Sequence, residues 1–225
     1  MNEMNRHKIT LFFGLLVAAN LTGIGFDIPI LQFISKPLLI PVLMYWLYKN
    51  SAGIPGKHLL LTGLFFSWLG DVFLLFEYKI SGFFIAGLIC FLITHILYIR
   101  YFLSIRSENG SLLKKNPALI VAVTGYGIAL VYLLFPHLGE LTIPVMVYAA
   151  VICIMLLCSL HIYHKVNAAA AKSFIFGATL FVISDSVLAV NKFYTVLPLG
   201  GVLIMLTYCA AQFFIVKGFL KSSNG

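Results

Sequence analysis

Charge is what this chain has least of. Only 10% of its 225 residues are charged, and Asp and Glu together number 7 against 15 Lys and Arg. A domain surrounded by water cannot be built with so little to show it, and 61% hydrophobic content with a mean hydropathy of +1.03 completes the exclusion. The class is an integral membrane protein. Segments of about ten residues with alternating polarity are also lacking, which excludes a membrane β-barrel. The four cysteines, Cys90, Cys153, Cys158 and Cys209, all fall inside apolar runs and form neither a CxxC pair nor a Cys/His cluster. They read as small buried hydrophobes, not as zinc ligands or a disulfide framework. His137 and His161 sit near the ends of apolar runs and His164 in a loop, so a His-based metal site has little to assemble from. No Gly-x-Ser-x-Gly elbow, Walker loop or dinucleotide fingerprint is present.

What the chain does have is apolar runs of about 17–24 residues, the length a helix needs to cross roughly 30 Å of hydrocarbon. The expected architecture is all-α: a polytopic membrane helical bundle of eight transmembrane helices in a single domain, 1–225. The spans fall at about 9–26, 30–48, 58–76, 82–103, 117–135, 141–162, 172–191 and 197–220. The charged start, Arg6-His7-Lys8, resembles a signal peptide, but the apolar part is too long and a small-residue cleavage site is missing. A polar loop with Arg106, Glu108, Asn109, Gly110, Lys114 and Lys115 separates the fourth and fifth spans.

Eight spans put both termini on one side, and the basic residues say which. One set of alternate loops collects Arg6, Lys8, Lys49, Lys57, Arg100, Arg106, Lys114, Lys115, Lys165, Lys172, Lys217 and Lys221, while the other holds only Lys36, Lys79 and Lys192. That bias predicts cytoplasmic N- and C-termini. It also reads the net charge of +8 as topology and attraction to anionic lipid headgroups, with no nucleic-acid partner. Short loops and the lack of a cleavable signal suggest a bacterial inner membrane. Oligomeric state does not follow from the sequence.

Two of the scarce carboxylates lie where water is absent. Asp71 follows Gly70 in GLFFSWLGDVFLLF, and Asp185 sits in the middle of GATLFVISDSVLAVNKF. An acidic side chain at the centre of a spanning helix costs about 2.5–3.5 kcal/mol on insertion scales, so each is a functional-site hypothesis by default. Both stand about thirteen residues, roughly 20 Å, from the start of an outward-running span. Lys36 is about 9 Å down the second span from its outer end, and Tyr148 is close to that level in the sixth. His95 lies lower, in the inner half of the fourth.

Helical spacing adds two stripes. Phe84, Gly87, Phe91, His95, Tyr98 and Phe102 share one face of the fourth span, and Gly201, Met205, Tyr208 and Gln212 one face of the eighth. Such stripes suit either the wall of a lipid-chain tunnel or an ordinary helix–helix seam. The aspartates, for their part, could be structural ties to Lys or Tyr, and Lys36 could snorkel to the interface. A faint repeat pairs Gly63, Asp71 and Leu74 with Gly177, Asp185 and Leu188, and Pro41–Tyr45 with Pro144–Tyr148. A parallel four-plus-four duplication is one reading of these offsets. Against it, Tyr45 and Tyr148 fall near opposite ends of their spans.

Two carboxyl groups withdrawn from water and close together do not readily both ionise, which supplies an acid and a base side by side. That is the equipment of acid-catalysed hydrolysis. The same pair could serve as a proton relay in a transporter of small molecules or lipids, the alternative reading. A third is a lipid-binding or assembly protein whose aspartates only tie helices together.

The ordered set of short motifs resembles the lysoplasmalogenase (YhhN-like) family of membrane proteins. The pieces are Lys36-Pro37, Gly70-Asp71 with Leu74, and the phrase Gly87, Phe91, His95, Tyr98. Further along come Pro144-Val145 with Tyr148, GATLFVISDSVLA around Asp185, and TYCAAQFFI with Tyr208 and Gln212. The first and fifth spans contribute only hydrophobicity. The resemblance implies hydrolysis of the vinyl ether bond of lysoplasmalogens to a fatty aldehyde and a glycerophospho-base, with a lysophospholipid as substrate partner. On that reading Asp71 and Asp185 are catalytic, one donating a proton and the other stabilising the cation and activating water, with the assignment between them open. Lys36 would meet the substrate phosphate, and His95, Tyr148, Tyr208 and Gln212 would orient the headgroup or line a tunnel. The chemistry calls for no metal and no organic cofactor.

Overall fold

The computed structural model describes residues 3–80, 82–106 and 110–222. Among them are nine α-helices and no strand: α1 (Glu3–Gly25), α2 (Pro29–Asn50), α3 (Lys57–Leu75), α4 (Gly82–Ser104), α5 (Leu112–Lys115), α6 (Ala118–Leu134), α7 (Thr142–His161), α8 (Ala168–Ala189) and α9 (Gly200–Ser222). Eight of them, all but the one-turn α5, are long and apolar enough to cross a membrane. The chain is thus an all-helical integral membrane protein with the expected eight spans. Glu108 and Asn109 of the polar loop, and the side chain of Arg6, lie outside the described residues.

The boundaries depart from expectation where capping overrides hydrophobicity. α8 begins at Ala168, ahead of the expected start at Lys172, because Asn167 caps it: its Oδ1 accepts from the Ala170 N–H at 2.9 Å. The alanines that follow are strong helix formers with no apolar period to betray them. At its other end α8 runs into a π-helical turn, Val190–Tyr194. The polar loop holds α5, whose first turn is capped by Ser111 accepting from the Leu113 N–H at 3.1 Å.

The chain divides into two compact units, Met1–Tyr98 and Ile99–Gly225. In the first, α1 packs on α2 and α2 on α3. Gly23 lets α1 approach closely, since a Cβ there would lie 2.9 Å from Leu31 Cβ. Polar ties reinforce this seam: Gln32 Nε2 donates to the Gly23 carbonyl at 2.9 Å, and the buried Asn20 donates to Ser35 Oγ at 3.0 Å. Inside hydrocarbon no water satisfies such groups, so they find each other.

α2 carries two internal prolines, Pro37 and Pro41. Pro41 has no N–H, so the carbonyl of Pro37 one turn earlier loses its helical donor. Trp68 on α3 supplies the replacement, its Nε1–H donating to the Pro37 carbonyl at 3.0 Å. Trp68→Phe keeps the bulk and removes the donor, leaving a carbonyl stranded away from water. The expected loss is about 1–3 kcal/mol of stability, read as an earlier thermal-aggregation midpoint in detergent.

The α3–α4 seam is built on missing side chains. A Cβ at Gly63 would meet Tyr98 Cε1 at 2.6 Å, and one at Gly70 would meet Phe91 Cε2 at 2.8 Å. Thr94 Oγ1 donates to the Gly63 carbonyl at 3.0 Å across the same seam. Phe91 and Tyr98 of the fourth-span stripe therefore fill glycine notches in a helix–helix seam.

In the second unit α8 and α9 make the most extensive contact, again through glycines. A Cβ at Gly177 would sit 2.9 Å from the Ala211 carbonyl oxygen, and one at Gly218 would sit 2.8 Å from the Phe174 ring. α7 packs on α8, and α6 on α7. Leu134, Leu138 and Val145, with Ala189, Val190 and Phe193 against them, close the end of this group at the α6–α7 connection.

Candidate active site

Each unit presents its carboxylate from a helix with one buried face. On α3 the buried positions Leu60, Gly63, Leu64, Ser67, Gly70 and Asp71 recur at three- and four-residue steps, so Asp71 lies on the interior stripe. It is 2% exposed. Its neighbour Gly70 receives the Phe91 ring, so the backbone beside the carboxylate is held by packing. Trp68, almost one turn earlier on α3, grips α2 at Pro37, next to Lys36. Lys36 is half-buried and about 10 Å along α2 from its start at Pro29. His95 is fully buried on α4, one residue after the Thr94 that ties α4 to α3.

In the second unit the structure brings two of the expected residues together. The Tyr148 hydroxyl on α7 donates to Asp185 Oδ2 on α8 at 2.6 Å. The partner expected from the repeat does not behave alike: Tyr45 is 54% exposed, with Lys49 Nζ 5.8 Å from its ring centre. The two Pro–Tyr phrases therefore look alike in sequence but stand in different surroundings. Tyr208 and Gln212 on α9 are buried, and Tyr208 meets Phe181 of α8 edge-on at 5.6 Å.

Asp185 and Tyr148 face a small cavity of about 40 Å³ bounded by α6, α7 and α8. That is room for a water molecule, and the carboxylate and phenol provide polar partners for one. Two further polar side chains line it that sequence reasoning passed over. Tyr126 of α6 donates to Ser186 Oγ at 2.7 Å, and Ser186 donates back to the Val182 carbonyl at 2.6 Å. Their signal was faint, because a Tyr in the very apolar fifth span, which also carries Tyr132, resembles an interfacial anchor, and Ser186 reads as a small packing residue. The π-helical turn follows Asp185 by little more than a turn, and its Asn191 Oδ1 accepts from the Leu197 N–H at 2.9 Å. Gly200 makes room for that amide, since a Cβ there would lie 2.6 Å from Asn191 Oδ1.

Tyr148→Phe removes the hydroxyl that orients Asp185 while keeping the ring. Turnover is expected to fall about tenfold, the loss of a hydrogen bond to a charged group. Unchanged turnover would remove Tyr148 from the site. Among the described residues no group of three or more His, Cys, Asp or Glu side chains is placed to hold a metal ion.

Comparison with known proteins adds a consistent picture. The model of the YhhN family matches residues 31–219. Lysoplasmalogenase TMEM86A of Bos taurus is 32% identical over 196 residues, covering 81% of this chain and 76% of that protein. Lysoplasmalogenase TMEM86B of Homo sapiens is 32% identical over 187 residues, covering 83% of this chain and 73% of that protein. No solved structure matches.

Proposed function

The chain belongs to the YhhN family, and from that premise we propose that it hydrolyses the vinyl ether bond of lysoplasmalogens, with Asp71 and Asp185 as its acid and base. The observation that carries the reading is the Asp185 carboxylate, fixed by Tyr148 beside a water-sized cavity that is lined mostly by apolar side chains. The names of the two relatives described above, both lysoplasmalogenases, support hydrolysis over transport.

A vinyl ether is stable to base and labile to acid. Protonation of its β-carbon uses the alkene electron pair to form a C–H bond and leaves an oxocarbenium ion on the ether side. Water adds to the cationic carbon and loses a proton, giving a hemiacetal. The hemiacetal collapses, its C–O bond to glycerol breaking, to release a fatty aldehyde and the glycerophospho-base. One water is consumed: the donated proton stays on the β-carbon as a C–H bond, and the proton that water loses to the base restores the acid–base pair to its starting protonation. The carboxyl oxygen of Asp185 accepts from Tyr148 and adjoins the cavity, which suits cation stabilisation and water activation. Asp71 is then the proton donor.

Lys36 lies near the start of a span and suits contact with the substrate phosphate. His95, Tyr208 and Gln212 are buried polar groups that suit orienting the rest of the substrate. The distribution of Lys and Arg supports cytoplasmic termini, and a bacterial inner membrane suits the short loops.

The test is purified protein given lysoplasmalogen, with aldehyde and glycerophospho-base measured together. Equal amounts of both are expected. Substrate-dependent flux into proteoliposomes without either product would establish the transporter instead.

A further inference from the structure

A second, larger concavity lies on the membrane-facing side of the same helices. It runs between α6 and α7, has a volume of about 600 Å³, and is lined by side chains such as Ile128, Val131, Phe135, Met146 and Ile154. Along α6 and the first residue beyond it, the lining extends from Thr124 to Phe135, roughly 16 Å at the helical rise. One leaflet of a bilayer offers about 15 Å of hydrocarbon depth, so the groove is as long as one lipid tail is deep. Its volume lies within the ordinary range for a small-ligand site.

Two observations connect it to the site. Gly127, Val131, Ala149 and Cys153 line both the groove and the Asp185 cavity, so the wall between them is one residue thick. At its thinnest the wall has no side chain on one helix: a Cβ at Gly127 would lie 2.8 Å from Cys153 Sγ. In addition, Tyr126 lines the Asp185 cavity although it is 45% exposed on the membrane-facing side. The cavity therefore extends to the protein surface beside the groove.

We propose that the α6–α7 groove binds the single alkenyl chain of the substrate, entering sideways from the bilayer, with Gly127 and Cys153 as the threshold to Asp185. The inference rests on the hydrolase reading for the identity of the chain's reactive end. A one-chain lipid suits the slot, because its tail can lie along the groove while the bond next to its headgroup crosses the threshold. The chain's length then becomes a specificity determinant set by the groove and not by the carboxylates.

Ile128→Trp and Ala150→Trp fill the groove from its exposed side without altering any residue that lines the Asp185 cavity. With purified protein in vesicles, kcat/KM is measured for long-chain and short-chain lysoplasmalogens. The long-chain value is expected to fall about tenfold or more while the short-chain value holds, collapsing the preference. An equal fall for both chain lengths, or no change in either, would overturn the proposal. A binding arm does not depend on turnover. Tyr132→Trp places a fluorophore on the groove, and Val121→Trp places one on an exposed position away from it. A lysophospholipid with a brominated alkyl chain should quench the first saturably and the second only in proportion to added lipid. Equal quenching at both would mark an ordinary lipid-facing surface and overturn the proposal. Saturable quenching in a protein that releases no aldehyde would keep the groove and remove the hydrolase reading. Aldehyde release with equal quenching would do the reverse.

Discussion

Asp71→Asn and Asp185→Asn proteins are each expected to release aldehyde from lysoplasmalogen at no more than about a hundredth of the unsubstituted rate, the usual reach of a positioned acid or base. The substitution keeps shape and removes only the titratable group. At Asp185 the amide oxygen still accepts from Tyr148, so the 2.6 Å tie between α7 and α8 survives. Thermal stability in detergent should therefore change little while turnover collapses. This separation decides between chemistry and architecture. If the aspartates only tie helices together, stability and activity fall in step, and near-full activity in either variant sinks the two-carboxylate mechanism. The effects should also be non-additive: the double variant should be about as slow as the slower single one, as for groups that act in one step.

Gly177→Val is expected to have the largest effect on folding. Its Cβ would meet backbone, the Ala211 carbonyl oxygen at 2.9 Å and the Ile215 N at 3.0 Å, so no side-chain rotation relieves the clash. Overpacking of a buried seam ordinarily costs about 1–3 kcal/mol, and a backbone neighbour places this one at the upper end. The α8–α9 seam would have to spread, and α8 carries Asp185. Folded yield and thermal midpoint should both drop, with activity lost as a consequence. Gly125→Val on α6 is the control, because nothing lies within 4 Å of a Cβ there. If the two valines behave alike, the seam does not depend on the close approach at Gly177.

The eight spans were legible because length and hydropathy are dictated by the bilayer, and no tertiary detail can disguise twenty apolar residues in a row. Asp71 and Asp185 were legible for the complementary reason: a carboxylate in hydrocarbon has to be accounted for. The link from Tyr148 to Asp185 was foreshadowed by their shared level and by the open reading of the aspartates as ties to Lys or Tyr. What the chain could not announce were features made by one helix for another. The role of Trp68 appears only once the Pro37 carbonyl that Pro41 leaves bare is seen beside it. Likewise, Phe91 and Tyr98 read equally well as a tunnel wall or a seam until the notches at Gly70 and Gly63 are found opposite them. The fifth span, set aside as mere hydrophobicity, supplies Tyr126 and Gly127 to the cavity, because polar signal per residue says nothing about which face a Tyr occupies. Asn167 moved the start of α8 by capping, a one-residue effect that hydropathy windows average away.

The central claim is proton transfer to the vinyl β-carbon, and isotope incorporation reads that step directly. Purified protein is supplied with lysoplasmalogen in deuterated water, and the aldehyde is trapped by reduction as it forms. The account predicts one deuterium on the carbon next to the former carbonyl, with no aldehyde from the saturated alkyl-ether analogue. Aldehyde without deuterium at that carbon, or equal cleavage of the saturated ether, would contradict it.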